Sequence, residues 1–208
     1  MSKLTVAFDI DGILASFTKG FIRVVNDIYP EKDLPHDYQP NTWSYDEVLD
    51  AWEFKQAWNK VLSTPFFWED LAPYSANVKL LSKFLLTYHR EFDSYFITSR
   101  VSTQGDSAFA QTSRWLLDYD LLTFSTSLLV VTDATEKYHI LRGLGIHAVV
   151  DDYLPTIIRA NEIPRLHAFL YDRPWNKADR PENLKVVLSL QEYLDNLLRL
   201  RENNNGNS

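Results

Sequence analysis

Residues 6–14 read VAFDIDGIL, an apolar run closing on two aspartates two residues apart and then a glycine. The spacing predicts a strand over Leu4–Phe8. Side chains alternate across a strand, so Asp9 and Asp11 point the same way. Gly12 allows a sharp turn directly after them. Two carboxylates at a strand end suit a hard cation such as Mg²⁺. They also suit a division of labour between nucleophile and general acid/base. The same pattern occurs in plain turns and helix caps, so the rest of the chain carries the choice.

Four further apolar runs predict strands: Tyr95–Thr98, Leu128–Val131, Ala148–Val150 and His167–Tyr171. Most are nearly continuous in hydrophobicity, as in a parallel sheet covered on both faces. Helical spacing falls between them, at Ala76–His89, Ser107–Leu117 and Lys137–Leu144, the last closed by Gly145. Pro155 suits a helix start after the fourth strand. Leu184–Leu200 reads as one long amphipathic helix, with Leu184, Val187, Leu194 and Leu198 on one face. This alternation predicts a doubly wound α/β core around a five-stranded parallel sheet.

One stretch interrupts the alternation. Between Gly12 and Pro73 no run reads as a strand. Gly20–Tyr29 and Asp46–Leu62 read as helices, the second opened by a capping-box spacing at Ser44 and Glu47, with a proline-bearing loop over Pro30–Pro40 between them. The predicted organisation is a core of residues 1–15 and 74–202, an inserted helical cap of residues 16–73, and a polar, disordered tail over 203–208. An insertion here sits over the carboxyl end of the first strand, where open α/β sheets place ligands.

The other predicted strand ends also carry polar groups. The second closes in ITSR, where Thr98 and Ser99 offer hydroxyls and backbone N–H groups to phosphate oxygens, although taken alone the motif reads more readily as a turn or helix N-cap. Arg100 adds a possible two-point phosphate contact, or a solvated surface charge. After the third strand comes TDATEK. Lys137 stands near a helix start, where a cation opposes the helix dipole, which makes a role toward an anion more plausible, with a surface lysine as the default reading. The fourth strand ends in VVDD. Asp151 and Asp152 repel each other unless positive charge sits nearby, and Mg²⁺ would supply it; the alternative is an N-cap for the helix after Pro155.

Composition narrows the partners. A formal net charge of −7 disfavours long nucleic acid, whose phosphate backbone calls for a basic face. A small anionic substrate needs only local positive charge. The absence of cysteine excludes disulfides, zinc–thiolate sites and cysteine nucleophiles, and is compatible with a reducing cytoplasm. No signal-peptide pattern and no membrane-length apolar run is present, so the expectation is a cytoplasmic protein without a membrane partner. The sequence leaves a homodimer open. Aromatic residues gather between positions 43 and 68, as core filling or as a stacking surface for a flat ligand.

Taken jointly, strand–DxDG, strand–Thr/Ser, helix–Lys and strand–Asp-Asp, in that order, resemble the haloacid dehalogenase (HAD) superfamily of phosphohydrolases over nearly the whole chain. The resemblance implies Asp9 as nucleophile and Asp11 as general acid/base, and phosphate binding by Thr98 and Lys137, with Ser99 and Arg100 beside them. It implies Mg²⁺ held by the acidic pair Asp151 and Asp152, with Asp9 and Asp11 completing the metal set. FTKGF after DIDG, PFFWEDLAPY closing the insertion, and YDRPWN after the fifth strand resemble the 5′(3′)-deoxyribonucleotidase (5′-nucleotidase type C) family and its bacterial and phage relatives. That likeness implies a nucleobase pocket in the cap, formed by Phe17, Phe67 and Trp68, with Trp43 and Phe66 beside it. The expected substrate is a small nucleotide. Arg100 departs from the animal members, and a Thr-Ser-Arg triplet also occurs in 3′-polynucleotide phosphatases of the superfamily. That leaves a polynucleotide 3′-phosphatase, and an inactive HAD-fold binding protein, as alternatives.

Overall fold

A computed structural model describes residues 3–206. Six strands form one parallel sheet: β1 (Leu4–Phe8), β2 (Phe92–Ser99), β3 (Thr126–Val131), β4 (Ala148–Asp151), β5 (His167–Tyr171) and β6 (Lys185–Val187). Their order across the sheet is β3-β2-β1-β4-β5-β6. The chain steps outward from β1 to one side through β2 and β3, then returns and steps outward to the other. The reversal lies between β1 and β4, where a crevice opens at the carboxyl ends of the strands.

The register brings the site's strand ends level. Phe8 pairs with Phe96 on one side and Val150 on the other, so Asp9, Thr98 and Asp151 emerge along one edge. Alternation explains the apolar runs. Val6 and Phe8 of β1, Val150 of β4 and Phe169 of β5 enter one core layer, with Tyr193 and Leu194. Ala7, Val149, Ala168 and Leu170 enter the opposite layer, with Leu141 and Ile157. Both faces of the sheet are covered, as parallel strands require.

The covering helices are α3 (Ser75–Thr87), α4 (Ala108–Asp118), α5 (Glu136–Gly143), α6 (Leu154–Ala160) and α7 (Leu190–Gly206). The sheet has six strands where the sequence predicts five. The discrepancy lies in Leu184–Leu200, read as one helix. Lys185–Val187 instead pairs with Phe169–Tyr171 as an edge strand. Leu184 and Val187 mimic helical spacing, but Val186 and Val187 are β-branched and favour the pleated edge. The helix begins after Ser189, whose Oγ accepts from Glu192 N at 3.2 Å. The Glu192 carboxylate in turn accepts from Leu188 N at 2.8 Å. The tail expected to be disordered from Asn203 is instead helical to Gly206; Asn207 and Ser208 lie outside the described residues.

Between β1 and α3 the chain forms α1 (Phe17–Ile28), a short 3-10 turn (Pro30–Lys32) and α2 (Ala51–Ser63). The two ends of this segment meet side by side. Ser16 N donates to Ala72 O at 2.8 Å and Tyr74 N to Leu14 O at 2.7 Å, flanking a bridge between Ala15 and Pro73. The capping box lies six residues later than Ser44 and Glu47 suggest. Asp50 accepts from Trp52 N and Glu53 N at 2.8 Å, and Glu53 accepts from Asp50 N at 2.9 Å. Glu47 is drawn away by Asn41 N at 2.7 Å and the Tyr38 hydroxyl at 2.9 Å, and Tyr45 takes a positive φ of 55°. That geometry keeps residues 41–50 in a loop.

Candidate active site

Asp9 leaves β1 into the crevice and is buried. Lys137 Nζ lies between two carboxylates, 2.9 Å from Asp9 Oδ1 and 2.7 Å from Asp151 Oδ2. The TDATEK segment presents it. Asp133 Oδ1 accepts from Thr135 N and from Thr135 Oγ1, both at 2.8 Å, shaping the turn that opens α5 with Lys137 at its second position. A lysine there gains nothing from the helix dipole. Its stabilisation comes from the two aspartates.

Ligand oxygens of Asp9, Asp151 and Asp152 lie within 4.8 Å of one another, and all three residues are buried. Asp152 Oδ2 accepts from Trp175 Nε1 at 3.0 Å, and Asp151 Oδ1 from Tyr153 N at 2.8 Å. One ammonium cannot balance three buried carboxylates. Burial, and then the Asp151 and Asp11 charges against the pull of Lys137, push Asp9 from its ordinary 3.8 to about 7. Burial and the charges of Asp9 and Asp151 raise Asp152 well above the carboxylate range. Burial works against the Lys137 ammonium, but Asp151 and Asp9 overcome it and raise its pKa. Oxygen donors, close spacing and unbalanced negative charge are what a hard divalent cation requires. Partners on the far oxygens fix the carboxylate orientations. The residues therefore fit Mg²⁺.

Asp11, placed in the metal set by the resemblance, is not in this cluster. Arg100 grips both its oxygens, Nε to Oδ2 at 2.8 Å and Nη2 to Oδ1 at 2.9 Å. Thr98 Oγ1 adds a bond to Oδ2 at 3.3 Å. Arg100, read from sequence as a phosphate ligand, is 1% exposed and does not line the cavity. Its remaining arm, Nη1, donates to Thr112 Oγ1 at 3.0 Å.

A cavity of about 270 Å³ opens above these groups. Asp9, Asp11, Thr98, Ser99, Lys137 and Asp152 form its polar lining. Phe17, Trp43 and Trp68 line it as the sequence suggests, joined by Phe54, Trp58 and Tyr153, which the sequence reading missed. Phe54 and Trp58 stand one helical turn apart on α2, a spacing that marks a shared face. Phe17 stacks on Trp68 at 6.0 Å and 24°, and meets Trp58 at 6.0 Å. Phe67 and Phe66 are absent from the lining. Phe67 is fully buried beneath Phe17 and Trp68, as core packing. Phe66 lies outside, against Gly105 and the Arg114 guanidinium.

YDRPWN, noted in the sequence without assigned roles, braces the site. Arg173 donates to Gly12 O from Nε at 2.7 Å and also from Nη2. Asn176 Nδ2 holds Asp152 O and Tyr171 O, both at 2.8 Å. Trp175 holds Asp152 as described above.

The family described as "5′ nucleotidase, deoxy (Pyrimidine), cytosolic type C protein" matches residues 3–177. The chain belongs to this 5′-nucleotidase family. No curated protein matches the chain. Among solved structures it is similar to the HAD-hydrolase YfnB of Bacillus subtilis, crystallised with magnesium, at 15% identity and TM-score 0.57 over 95% of this chain and 99% of that one. It is also similar to L-2-haloacid dehalogenase of Xanthobacter autotrophicus, at 12% identity and TM-score 0.57 over 95% and 99%. A HAD phosphatase of Thermococcus onnurineus matches at 14% identity and TM-score 0.53 over 94% and 98%. At these identities the likeness establishes the HAD fold. With the family match, it makes this 5′-nucleotidase family member a hydrolase of phosphate monoesters. Among the described residues, no helix is long and apolar enough to cross a membrane.

Proposed function

We propose that the protein is a Mg²⁺-dependent phosphomonoesterase that dephosphorylates (deoxy)nucleoside monophosphates through an aspartyl-phosphate on Asp9. The observation that carries this reading is the stacking of two layers in one cavity. Asp9, Lys137 and the Asp11 carboxylate form its floor, and five aromatic side chains from residues 17–68 form its walls.

Asp9 attacks phosphorus in line, dividing hydrolysis into two displacements. Asp11 gives a proton to the leaving nucleoside oxygen, then takes one from the water that releases phosphate. Lys137, the Thr98 hydroxyl and Ser99 stabilise charge on the equatorial phosphoryl oxygens. Asp9, Asp151 and Asp152 would hold Mg²⁺, which supplies positive charge against the repulsion between carboxylate and phosphate. The aromatic walls exclude water and stack on the base.

The substrate in this reading is a single small nucleotide rather than long nucleic acid or a membrane surface. Net charge and the small volume of the cavity support it. The rival polynucleotide 3′-phosphatase reading drew on Arg100, and Arg100 faces Asp11 instead of the cavity. The family's cytosolic description supports a cytoplasmic location.

The test is phosphate release with and without Mg²⁺ from 5′- and 3′-mono(deoxy)nucleotides, a 3′-phosphorylated oligonucleotide and an aryl phosphate, with Asp9→Asn as the blank. Mg²⁺-dependent turnover favouring deoxynucleoside monophosphates is expected. Turnover of the oligonucleotide alone overturns the substrate class. Turnover by Asp9→Asn at the wild-type rate overturns the mechanism.

A further inference from the structure

Asp11 has a partner that the two-aspartate chemistry does not itself require. Arg100 follows β2 directly, anchored by its own N–H to Val131 O at 2.8 Å. Its guanidinium is fixed from several sides. Two arms take the two Asp11 oxygens, and a third takes Thr112 Oγ1 on α4 at 3.0 Å. The Trp68 ring lies 5.1 Å from Cζ. A planar fork meeting both oxygens of a carboxylate permits one orientation of that carboxylate. Stability alone is a poor reason for such a pair, because desolvating two charges offsets much of their attraction. Arg100 does not line the cavity, so it is not placed to read phosphate or base.

We infer that Arg100 is a positioning residue for the proton transfers at the leaving oxygen, acting through Asp11. The inference rests on the acid/base role proposed above for Asp11. In the first displacement an Asp9 oxygen bonds to phosphorus and the ester P–O bond breaks. The electron pair goes to the leaving oxygen, which takes the Asp11 proton. Asp11 is then a carboxylate, and the Arg100 fork holds it aimed at the same spot. In the second displacement that carboxylate takes a proton from water as the water oxygen bonds to phosphorus. The bond from phosphorus to Asp9 breaks and orthophosphate leaves. Without the fork, Asp11 is free to rotate about its side-chain bonds, and both transfers lose their alignment.

Leaving-group chemistry separates this role from a structural one. A nucleoside alkoxide needs a proton to depart, whereas p-nitrophenolate departs without one. Single-turnover phosphoryl transfer is measured with Mg²⁺ for Arg100→Ala on a deoxynucleoside 5′-monophosphate and on p-nitrophenyl phosphate. The nucleotide rate is expected to fall by about 10²-fold or more, the usual contribution of a positioned acid. The aryl ester rate is expected to fall far less, KM for the nucleotide to stay nearly constant, and added guanidinium to restore part of the loss. Equal losses on both esters without guanidinium rescue overturn the inference in favour of a structural role. A raised KM with weaker inhibition by inorganic phosphate and an unchanged rate overturns it in favour of a phosphate ligand. Arg100→Lys keeps the charge but not the two-point grip, and is expected to show the same split between esters should the alanine variant not fold. Failure of the underlying reading shows separately, as wild-type protein that turns over neither ester, and it takes the inference with it.

Discussion

Gly12 and Asp152 stand so close that a Cβ built on Gly12 would lie 1.9 Å from Asp152 Oδ2. The turn after the two aspartates is pressed directly against the acidic pair of the fourth strand. Gly12 also has a positive φ of 78°, a region costly to residues with a side chain. Gly12→Ala is therefore expected to displace Asp152 and weaken Mg²⁺ binding by about 10- to 100-fold, the scale found when a metal ligand loses its support. Calorimetric titration of Mg²⁺ checks it. Unchanged affinity would show that Asp152 lies outside the metal's reach.

Asp9→Asn is expected to reduce turnover by on the order of 10⁴-fold or more, the scale of losing a nucleophile. It also removes one of three buried carboxylates facing one lysine. The metal-free variant should then melt no lower than wild type at pH 8, measured by calorimetry in chelator. A large drop in melting temperature would mean that the Asp9–Lys137 pair stabilises the fold more than Asp9's repulsion with its neighbours costs.

The raised Asp9 sets a pH window. With a folded value of about 7 against an ordinary 3.8, the folded protein binds a proton that the unfolded chain releases between those values. Its contribution is fully present below the unfolded value and lost as pH rises through about 7. Asp152, also raised, acts in the same direction. Mg²⁺ competes with those protons. The rise in melting temperature produced by Mg²⁺ over chelator should therefore grow from pH 5 to pH 8. A rise that stays constant over that range would show that the cation binds without displacing protons from these residues.

Trp58→Ala tests the aromatic walls more cleanly than Trp68→Ala. Trp68 also donates Nε1 to Val101 O at 2.8 Å and packs on Arg100, so its loss disturbs the floor. Stacking of a base on an aromatic ring is worth about 1–3 kcal/mol. Trp58→Ala should raise KM for nucleotides by roughly 5-fold or more on that scale while leaving KM for p-nitrophenyl phosphate nearly unchanged. Equal shifts on both substrates would make Trp58 a support for the cap alone. Phe66→Ala, outside the cavity, should change neither.

The acidic cluster and its lysine were more legible in the sequence than the residues that support them. Asp9, Lys137, Asp151 and Asp152 sit at ends of regular elements, where strand and helix periodicity fixes their direction, and they converge as the spacing suggests. Arg100 was open in the sequence between a phosphate contact and a solvated charge, because an arginine after a strand end can face either, and its bonds go instead to the Asp11 carboxylate. Only the distance to Asp11 distinguishes them. Phe66 and Phe67 look alike in sequence, yet one is exposed and the other is core, because a positive φ at Phe66 turns the chain between them. The sixth strand was hidden by an accidental helical spacing at Leu184 and Val187, although Ser189 and Glu192 marked the true helix start. Phe54 and Trp58 carried a readable one-turn spacing on α2. Trp175 and Arg173 reach the site from a single 3-10 turn at Pro174–Asn176 and its N-cap, too short for any periodicity to mark.

The meeting of Ala15 with Pro73 bears on how such a protein can change its choice of substrate. The segment that carries five of the six aromatic lining residues is tied to the sheet where its two ends lie side by side, as a loop is tied to a hairpin. A segment attached in that way can lengthen, shorten or change its lining while the strand ends beneath it keep their register. On the function proposed above, reactivity belongs to the ends of the parallel sheet and selectivity to the inserted segment, so one floor can serve successive clienteles of phosphate ester.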